Sequence, residues 1–431
     1  MKRFFVFVLF LLPFLSLLAQ NVTVTGRVNR PDALMRLMVC DDLLNLHETK
    51  VAETHADSKG FFILEGEVSQ TMPARLYVGL DRVDFVVAPD ASYDVKIGVP
   101  EADPSLSYFE RPLPTLQVKT ATDHGVCRQL VISEEIVDDY VLNYFDELFR
   151  RRQYRYLDSI RATIDAEFDI TDAYVLQCNT YKIASVQMAV NADGGKKVIQ
   201  EYYDGKPVLF LCQSYMDLFK DLFKNYEMSV EFAKRNPELT DLINIYHLRG
   251  LYYEDFQSRK WVRGQLQSIA SHSKSKEIKG IVANTLSRFD KFSPGAPAVD
   301  FELKDLTGNT MKLSDFQDKV VVLQFVENSS RLVDHQFEVL ADLHHQWQDS
   351  VQLITISTKD QLASHRKRFE EHRYDWPLLN LGNDILLLEQ YEVRTFPEYF
   401  IIDKGTTIGL APAPSPDQTL KEYVHDFCVR H

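Results

Sequence analysis

The chain has 431 residues, of which 45% are hydrophobic and 26% charged, and its formal net charge is −14. At roughly 150 residues per domain this length predicts about three domains, and the even mixing of charged with apolar residues excludes long disordered tracts. An acidic chain without a compensating basic stripe is poorly suited to general nucleic-acid binding or to anionic membranes; its densest basic cluster, Arg150 to Arg155, reads as a solvated helix face.

Residues 1–19 read as a secretory signal peptide. Lys2 and Arg3 precede an apolar run from Phe4 to Leu18, and Ala19 sits at a cleavage point before Gln20. Losing those two cations would take the charge from −14 to −16. No cysteine follows the run, which argues against lipoprotein processing, and no later stretch reaches the ~18 apolar residues of a spanning helix. The expected location is periplasmic, with extracellular or outer-surface placement as alternatives, and with no membrane span after cleavage.

Residues 20–125 carry short alternating segments: VTVTGRV, LMRLMVCD, KVAETHA, FFILEGEV, ARLYVGL, DFVVAP and YDVKIG. Alternation of apolar and polar residues marks half-buried strands, and Asp57 to Gly60 marks a turn. Together they predict a β-sandwich, which resembles the N-terminal β-domains of exported Bacteroidetes proteins. Residues 126–292 predict helices. Ile136, Val137, Tyr140, Val141, Tyr144, Phe145 and Leu148 recur three and four apart, and Tyr215, Leu218, Phe219 and Phe223 repeat the pattern. These aromatics are expected to pack helix on helix, with a peptide-binding groove as the alternative. Gly194-Gly195 and Gly205-Lys206-Pro207 break the pattern.

Residues 293–431 begin with a Pro294/Gly295/Pro297 linker. A hairpin turns at Thr307-Gly308-Asn309, and a buried run extends from Val320 to Phe325. Helix RLVDHQFEVLADLHHQWQ, strand VQLITIS, helix KDQLASHRKRFEEH, short segment DILLLEQY, strand EYFIID, a strand near TTIGLA and a final helix follow. Alternating strands and helices predict an α/β sheet with a parallel part. The expected fold class is therefore multidomain α+β: an N-terminal β-sandwich, a central α-helical region and a C-terminal α/β domain.

The pieces PGAPAVDFELKDLTGNTMKLSDF, KVVVLQF, YDWPLLN and YEVRTFPEYFIID stand in an order that resembles the thioredoxin-fold family, in its TlpA-like and AhpC/TSA-like branches. That resemblance implies a thioredoxin-like C-terminal domain. In the family, the strand matching VVVLQF leads into a C-x-x-C motif at a helix N-terminus, where free N–H groups and the helix dipole lower a thiol pKa. Here Ser330 falls at the attacking position and Val333 at the resolving one, and no cysteine lies nearby. The single peroxidatic cysteine of peroxiredoxins is missing from this loop as well. Val333, Phe337, Leu340 and Trp347 share a helical face, which places Val333 on the core side, and Ser330 suits a helix cap. Thr395-Phe396-Pro397 matches the family loop in which the proline is cis, beside the dithiol and facing substrate backbone. Phe396 is expected to narrow or cover that groove. The resemblance thus implies a degenerate active site, with Ser329, Ser330, Arg331, Phe396 and Pro397 as groove candidates.

The five cysteines are Cys40, Cys127, Cys178, Cys212 and Cys428, none in C-x-x-C spacing. An odd count leaves at least one thiol unpaired in the chain, while one or two disulfides suit an exported protein. Cys178 and Cys212 lie in apolar helical contexts and are expected to act as small hydrophobes. Ser330 lacks a base in reach on its own helix, because Asp334 and His335 point away from it. His344 and His345 are adjacent rather than four apart. His365 and His372 have no ligand-spaced partner and read as solvated helix surface. Without a Walker loop or a G-x-G-x-x-G, no cofactor and no metal are expected. The leading expectation is a non-catalytic module that binds a protein or peptide partner in the cell envelope. The alternative is a thiol-disulfide oxidoreductase or peroxidase using a non-standard cysteine, Cys428 or one from another region.

Overall fold

The computed structural model describes residues 20–79, 81–101, 112–170, 172–190, 195–224, 236–327, 331–347, 350–358, 361–382, 384–393 and 395–429. The expected signal segment 1–19 and the groove candidates Ser329 and Ser330 lie outside the described residues. The chain divides into two compact units: Met1–Val99 with Leu113–Ile243, and Pro100–Pro112 with Asn244–His431.

In the first unit, β1 (Gln20–Val28), β4 (Phe61–Val68), β7 (Ala91–Gly98) and β8 (Thr115–Ala121) form one sheet in the order β4-β1-β7-β8. β2 (Leu34–Asp42), β3 (His47–His55), β5 (Met72–Val78) and β6 (Asp81–Val87) form another, in the order β3-β2-β5-β6. Alternate residues point inward, so that Val22, Val24, Leu37, Leu64, Leu76 and Val95 share one core. The turn before β4 is built as the sequence predicts. Asp57 Oδ1 accepts from the N–H groups of Lys59 and Phe61, each at 2.8 Å. Gly60 adopts φ +81°, and a Cβ there would lie 2.0 Å from the Val28 carbonyl oxygen. Strand β8 escaped the sequence reading. It is an edge strand with one neighbour, and its TLQVKTA is exposed or half-buried throughout.

The helices are α1 (Val126–Asn143), α2 (Arg155–Glu167), α3 (Ala173–Val190), α4 (Lys196–Tyr202), α5 (Gln213–Leu222) and α6 (Pro237–Glu254), followed by α7 (Arg259–His272) and α8 (Lys276–Lys291) of the second unit. The continuous face predicted from Ile136 to Leu148 is interrupted. Helix α1 stops at Asn143, and a π-helical turn, Asp146–Arg150, follows. The wider turn shifts the register, so Val137 and Leu148 are buried while Tyr144 and Phe145 face solvent.

The C-terminal part contains β9 (Glu302–Asp305), β10 (Thr310–Lys312), β11 (Val320–Val326), α9 (Arg331–Trp347), β12 (Val351–Ser357), α10 (Leu362–His372), β13 (Leu378–Asn380), α11 (Ile385–Gln390), β14 (Glu398–Asp403), β15 (Thr407–Ala413) and α12 (Leu420–Val429). The sheet order is β10-β9-β13-β12-β11-β14-β15. Strand β11 pairs parallel with β12 and antiparallel with β14. It is buried along its whole length, because both sheet faces are covered by apolar layers. The alternating reading therefore holds here, with β13 added as a short strand that three residues could not announce.

Candidate functional site

Strand β11 ends at Val326, and α9 begins at Arg331. Arg331 and Leu332 are exposed, and Val333 is fully buried. Val333 packs with Phe337 and Leu340 in the layer beneath the helix, together with Val322, Val326 and Tyr399. The residue at the position counted for a resolving thiol is thus a core residue of α9.

The Phe396–Pro397 peptide is cis. Pro397 lines a cleft of about 390 Å³ whose wall also includes Tyr253, Glu254, Phe292, Tyr391, Glu392, Glu398 and Pro412. Phe396 is half-buried against the core layer of Phe325, Leu388, Tyr391 and Phe400, so Pro397 and not Phe396 borders the cleft. Arg331 is likewise not among the residues bordering it.

The cleft is held by ion pairs and packing. Arg288 on α8 donates to Glu392, and Lys291 Nζ lies 3.5 Å from the same carboxylate. Arg259 Nη2 donates to the carbonyls of Ala411 and Pro412 at 3.2 and 3.4 Å, and its guanidinium sits 4.8 Å above the Tyr252 ring. Burial lowers the Arg259 pKa, and the nearby Tyr252, Tyr253 and Tyr423 oppose that. Helices α7 and α8 thereby fix the wall of the cleft to β15 and to the turn after α11.

A polar chain runs beneath the same helix start, and sequence reasoning missed it. Register places Thr355, Gln324 and Tyr399 in one row across β12, β11 and β14. Trp376 Nε1 donates to Thr355 Oγ1 at 3.0 Å, and Thr355 Oγ1 donates to Gln324 Oε1 at 2.8 Å. Gln324 Nε2 donates to the Tyr399 hydroxyl, which donates to Gln336 Oε1, each at 2.8 Å. Gln336 Nε2 then donates to Asp417 Oδ1 at 3.2 Å. Gln324, Gln336, Thr355 and Tyr399 are all buried, so each link matters. Burial pushes the Tyr399 phenol up, far above its ordinary range. Burial also raises the Asp417 carboxyl, but hydrogen bonds from Ser415, its own backbone N–H and Gln336, with His335 nearby, leave it lowered overall. The sequence signal was Gln324, a lone amide inside an otherwise apolar strand.

His365 corrects another expectation. It is buried, and its Nδ1 lies 2.8 Å from Ser357 Oγ at the end of β12. The phenyl ring of Phe337 packs on it. His345 and His372 are exposed as expected, and His344 pairs with Asp375 at 3.1 Å. No cluster of three or more metal-ligating side chains occurs among the described residues.

Within the second unit, Cys428 lies away from this site. Cys428 is close enough to Lys404 and Asp403 to feel their charge, and partial burial raises its pKa. Asp403 ends β14, whereas Glu398 at its start pairs with Phe325 beside the α9 junction. Strand β14, about 20 Å long at ~3.3 Å per residue, separates the two ends. Burial likewise raises the thiols of Cys40, to about 11, and of Cys127. Cys178 and Cys212 are buried, as expected of small hydrophobes, but they also touch one another, at 3.6 Å between sulfurs.

Comparison with known proteins places this architecture. Residues 294–410 match the AhpC/TSA family. The thiol-disulfide oxidoreductase ResA of Bacillus subtilis (strain 168) is 21% identical over 138 residues, spanning 32% of this chain and 76% of the relative. That of Bacillus cereus (strain ATCC 10987 / NRS 248) is 24% identical over 155 residues, spanning 34% and 88%. Among solved structures, a putative thiol-disulfide oxidoreductase from Bacteroides vulgatus is 24% identical with a TM-score of 0.30, covering 32% of this chain and 98% of its own. A putative thiol:disulfide interchange protein DsbE from Chlorobium tepidum is 19% identical with a TM-score of 0.29, covering 32% and 99%. Among the described residues, no helix is long and apolar enough to cross a membrane. The chain therefore carries a C-terminal thioredoxin-fold domain, matched to the AhpC/TSA family over residues 294–410.

Proposed function

We propose that this thioredoxin-fold domain has a degenerate active site and serves as a binding module of an exported, periplasmic protein. It holds an extended protein or peptide segment in the cleft beside Pro397. The observation that carries this reading is the state of Val333. A valine at the counted resolving position is fully buried and packed among Phe337, Leu340 and Tyr399, so that position is core. The signal-like residues 1–19 support export. The cleft supports the ligand class: its aromatic wall, from Tyr253, Phe292 and Tyr391, is flanked by Glu254 and Glu398, while Glu392 is already paired with Arg288 and Lys291. Aromatic surface with fixed carboxylates favours a segment bearing apolar and basic side chains.

The second reading is a thiol-disulfide oxidoreductase that uses a non-standard cysteine, and similarity to enzymes so named favours it. Its candidate thiol, Cys428, has a raised pKa and lies at the far end of β14, which argues against it. Fluorescence anisotropy with extended peptides carrying Phe or Tyr beside Lys or Arg tests the binding reading. We expect saturable binding to the mature chain, weakened about tenfold, or ~1.4 kcal/mol, by Tyr253→Ala and by Glu398→Lys. Equal affinity for the variants, or no binding by any such peptide, would overturn it.

A further inference from the structure

We propose that Cys178 and Cys212 close into a disulfide that fastens α3 to the start of α5. The two sulfurs lie 3.6 Å apart although the residues are 34 positions apart in sequence. A disulfide needs about 2.05 Å, a distance that small side-chain rotations supply once the bond is made. The contact joins elements that already pack together: Cys178 lies mid-helix in α3, and Cys212 is the N-cap of α5. Each residue is less than a tenth exposed. The Tyr174 hydroxyl reaches the Leu211 carbonyl at 3.3 Å, pinning the residue next to Cys212 against α3. None of the other three cysteines is shown in contact with another sulfur: Cys127 donates to the Val86 carbonyl, and Cys40 and Cys428 have their own surroundings.

The two thiols are not equivalent. Contact with the Cys178 thiol and the N–H groups of Tyr215 and Ser214 at the start of α5 lower the Cys212 pKa, although burial opposes them. Cys178, in contact with Cys212 and buried, is pushed up. With α5 formed but not yet docked, the free N–H groups at its start favour the thiolate of Cys212 at its N-cap, so Cys212 attacks and Cys178 resolves. The oxidant is an external disulfide, either small-molecule or protein-borne. The Cys212 thiolate attacks one of its sulfurs, forming a mixed disulfide and expelling one thiolate. Cys178 gives up its proton and attacks the Cys212 sulfur, expelling the second thiolate. The chain loses two electrons and two protons, and the external disulfide becomes two thiols. Because both sulfurs are covered in the folded unit, the exchange takes place before α5 docks, and the finished bond is shielded from reductants.

The test uses the full mature chain, reduced, denatured and refolded in oxidised glutathione. Non-reducing peptide mapping should give a linked Cys178–Cys212 peptide, about 2 Da lighter than its two separated thiol peptides combined. Five cysteines should leave three titratable thiols in guanidinium. Dithiothreitol should release the bond in guanidinium far faster than in the native protein. Cys178→Ser and Cys212→Ser should each show four thiols and no linked peptide. Five free thiols after oxidative refolding, or linkage through Cys40, Cys127 or Cys428, would overturn the assignment. The wild-type map decides the matter even if a serine variant fails to fold.

Discussion

Tyr399→Phe removes one oxygen from the centre of the buried polar chain and leaves the ring in place. In the wild-type protein that hydroxyl accepts from Gln324 and donates to Gln336, both at 2.8 Å. The variant strands an amide N–H on β11 and an amide carbonyl on α9, both in buried residues. A stranded buried polar group costs about 1–3 kcal/mol. With two stranded at once, the loss should be about 3 kcal/mol, a large share of the ~5–15 kcal/mol typical of a domain. All three tryptophans, Trp261, Trp347 and Trp376, belong to the second unit, so tryptophan fluorescence in urea reads that unit. The midpoint should fall while the slope is unchanged. Pairing the change with Gln336→Leu should recover part of the loss, because the stranded carbonyl disappears with its side chain and the exposed Asp417 turns to water. A loss below about 0.5 kcal/mol would refute the claim that the row Thr355–Gln324–Tyr399–Gln336 is a continuous, desolvated chain.

Two further predictions rest on buried groups. Val333→Ala deletes two methyl groups from a fully buried position and should cost about 2–3 kcal/mol by the same fluorescence measurement, transfer and cavity terms together; a neutral result would mean that the start of α9 is not packed as described. Burial, assisted by Glu48 and Asp84 and opposed by Arg75, raises the Cys40 thiol to about 11. A raised folded-state pKa means that the unfolded thiol ionises first, so the stabilisation is complete below the ordinary thiol range and is lost as pH climbs toward 11. Thermal melts from pH 8 to pH 11 should fall less steeply for Cys40→Ala than for wild type, and parallel slopes would contradict the assignment.

What the sequence disclosed follows from the range of each signal. Strand β11 and the face Val333, Phe337, Leu340 were legible because one element's own period fixes them. The β-sandwich was legible strand by strand, except for β8, whose edge position leaves it without a regular buried face. The rest depended on partners that are distant in sequence. His365 looked solvated because Ser357, which holds it, belongs to another element. The polar row needs the register of three strands, and Gln324 alone could not name Thr355 or Tyr399 as its neighbours. The cleft draws Tyr253 and Phe292 from outside the residues that match the AhpC/TSA family, so family resemblance led to Pro397 but not to the opposite wall. The π-helical turn at Asp146–Arg150 changed a face that a 3.6-residue period had drawn as continuous.

The central claim is that this thioredoxin-fold domain works without thiol chemistry. The most direct measurement is turnover by the purified mature protein in insulin reduction and in peroxide reduction, beside a variant in which all five cysteines are replaced by serine or alanine. The account predicts no turnover above the uncatalysed background for either protein. Thiol-dependent turnover by the wild type that disappears in the cysteine-free variant would contradict it.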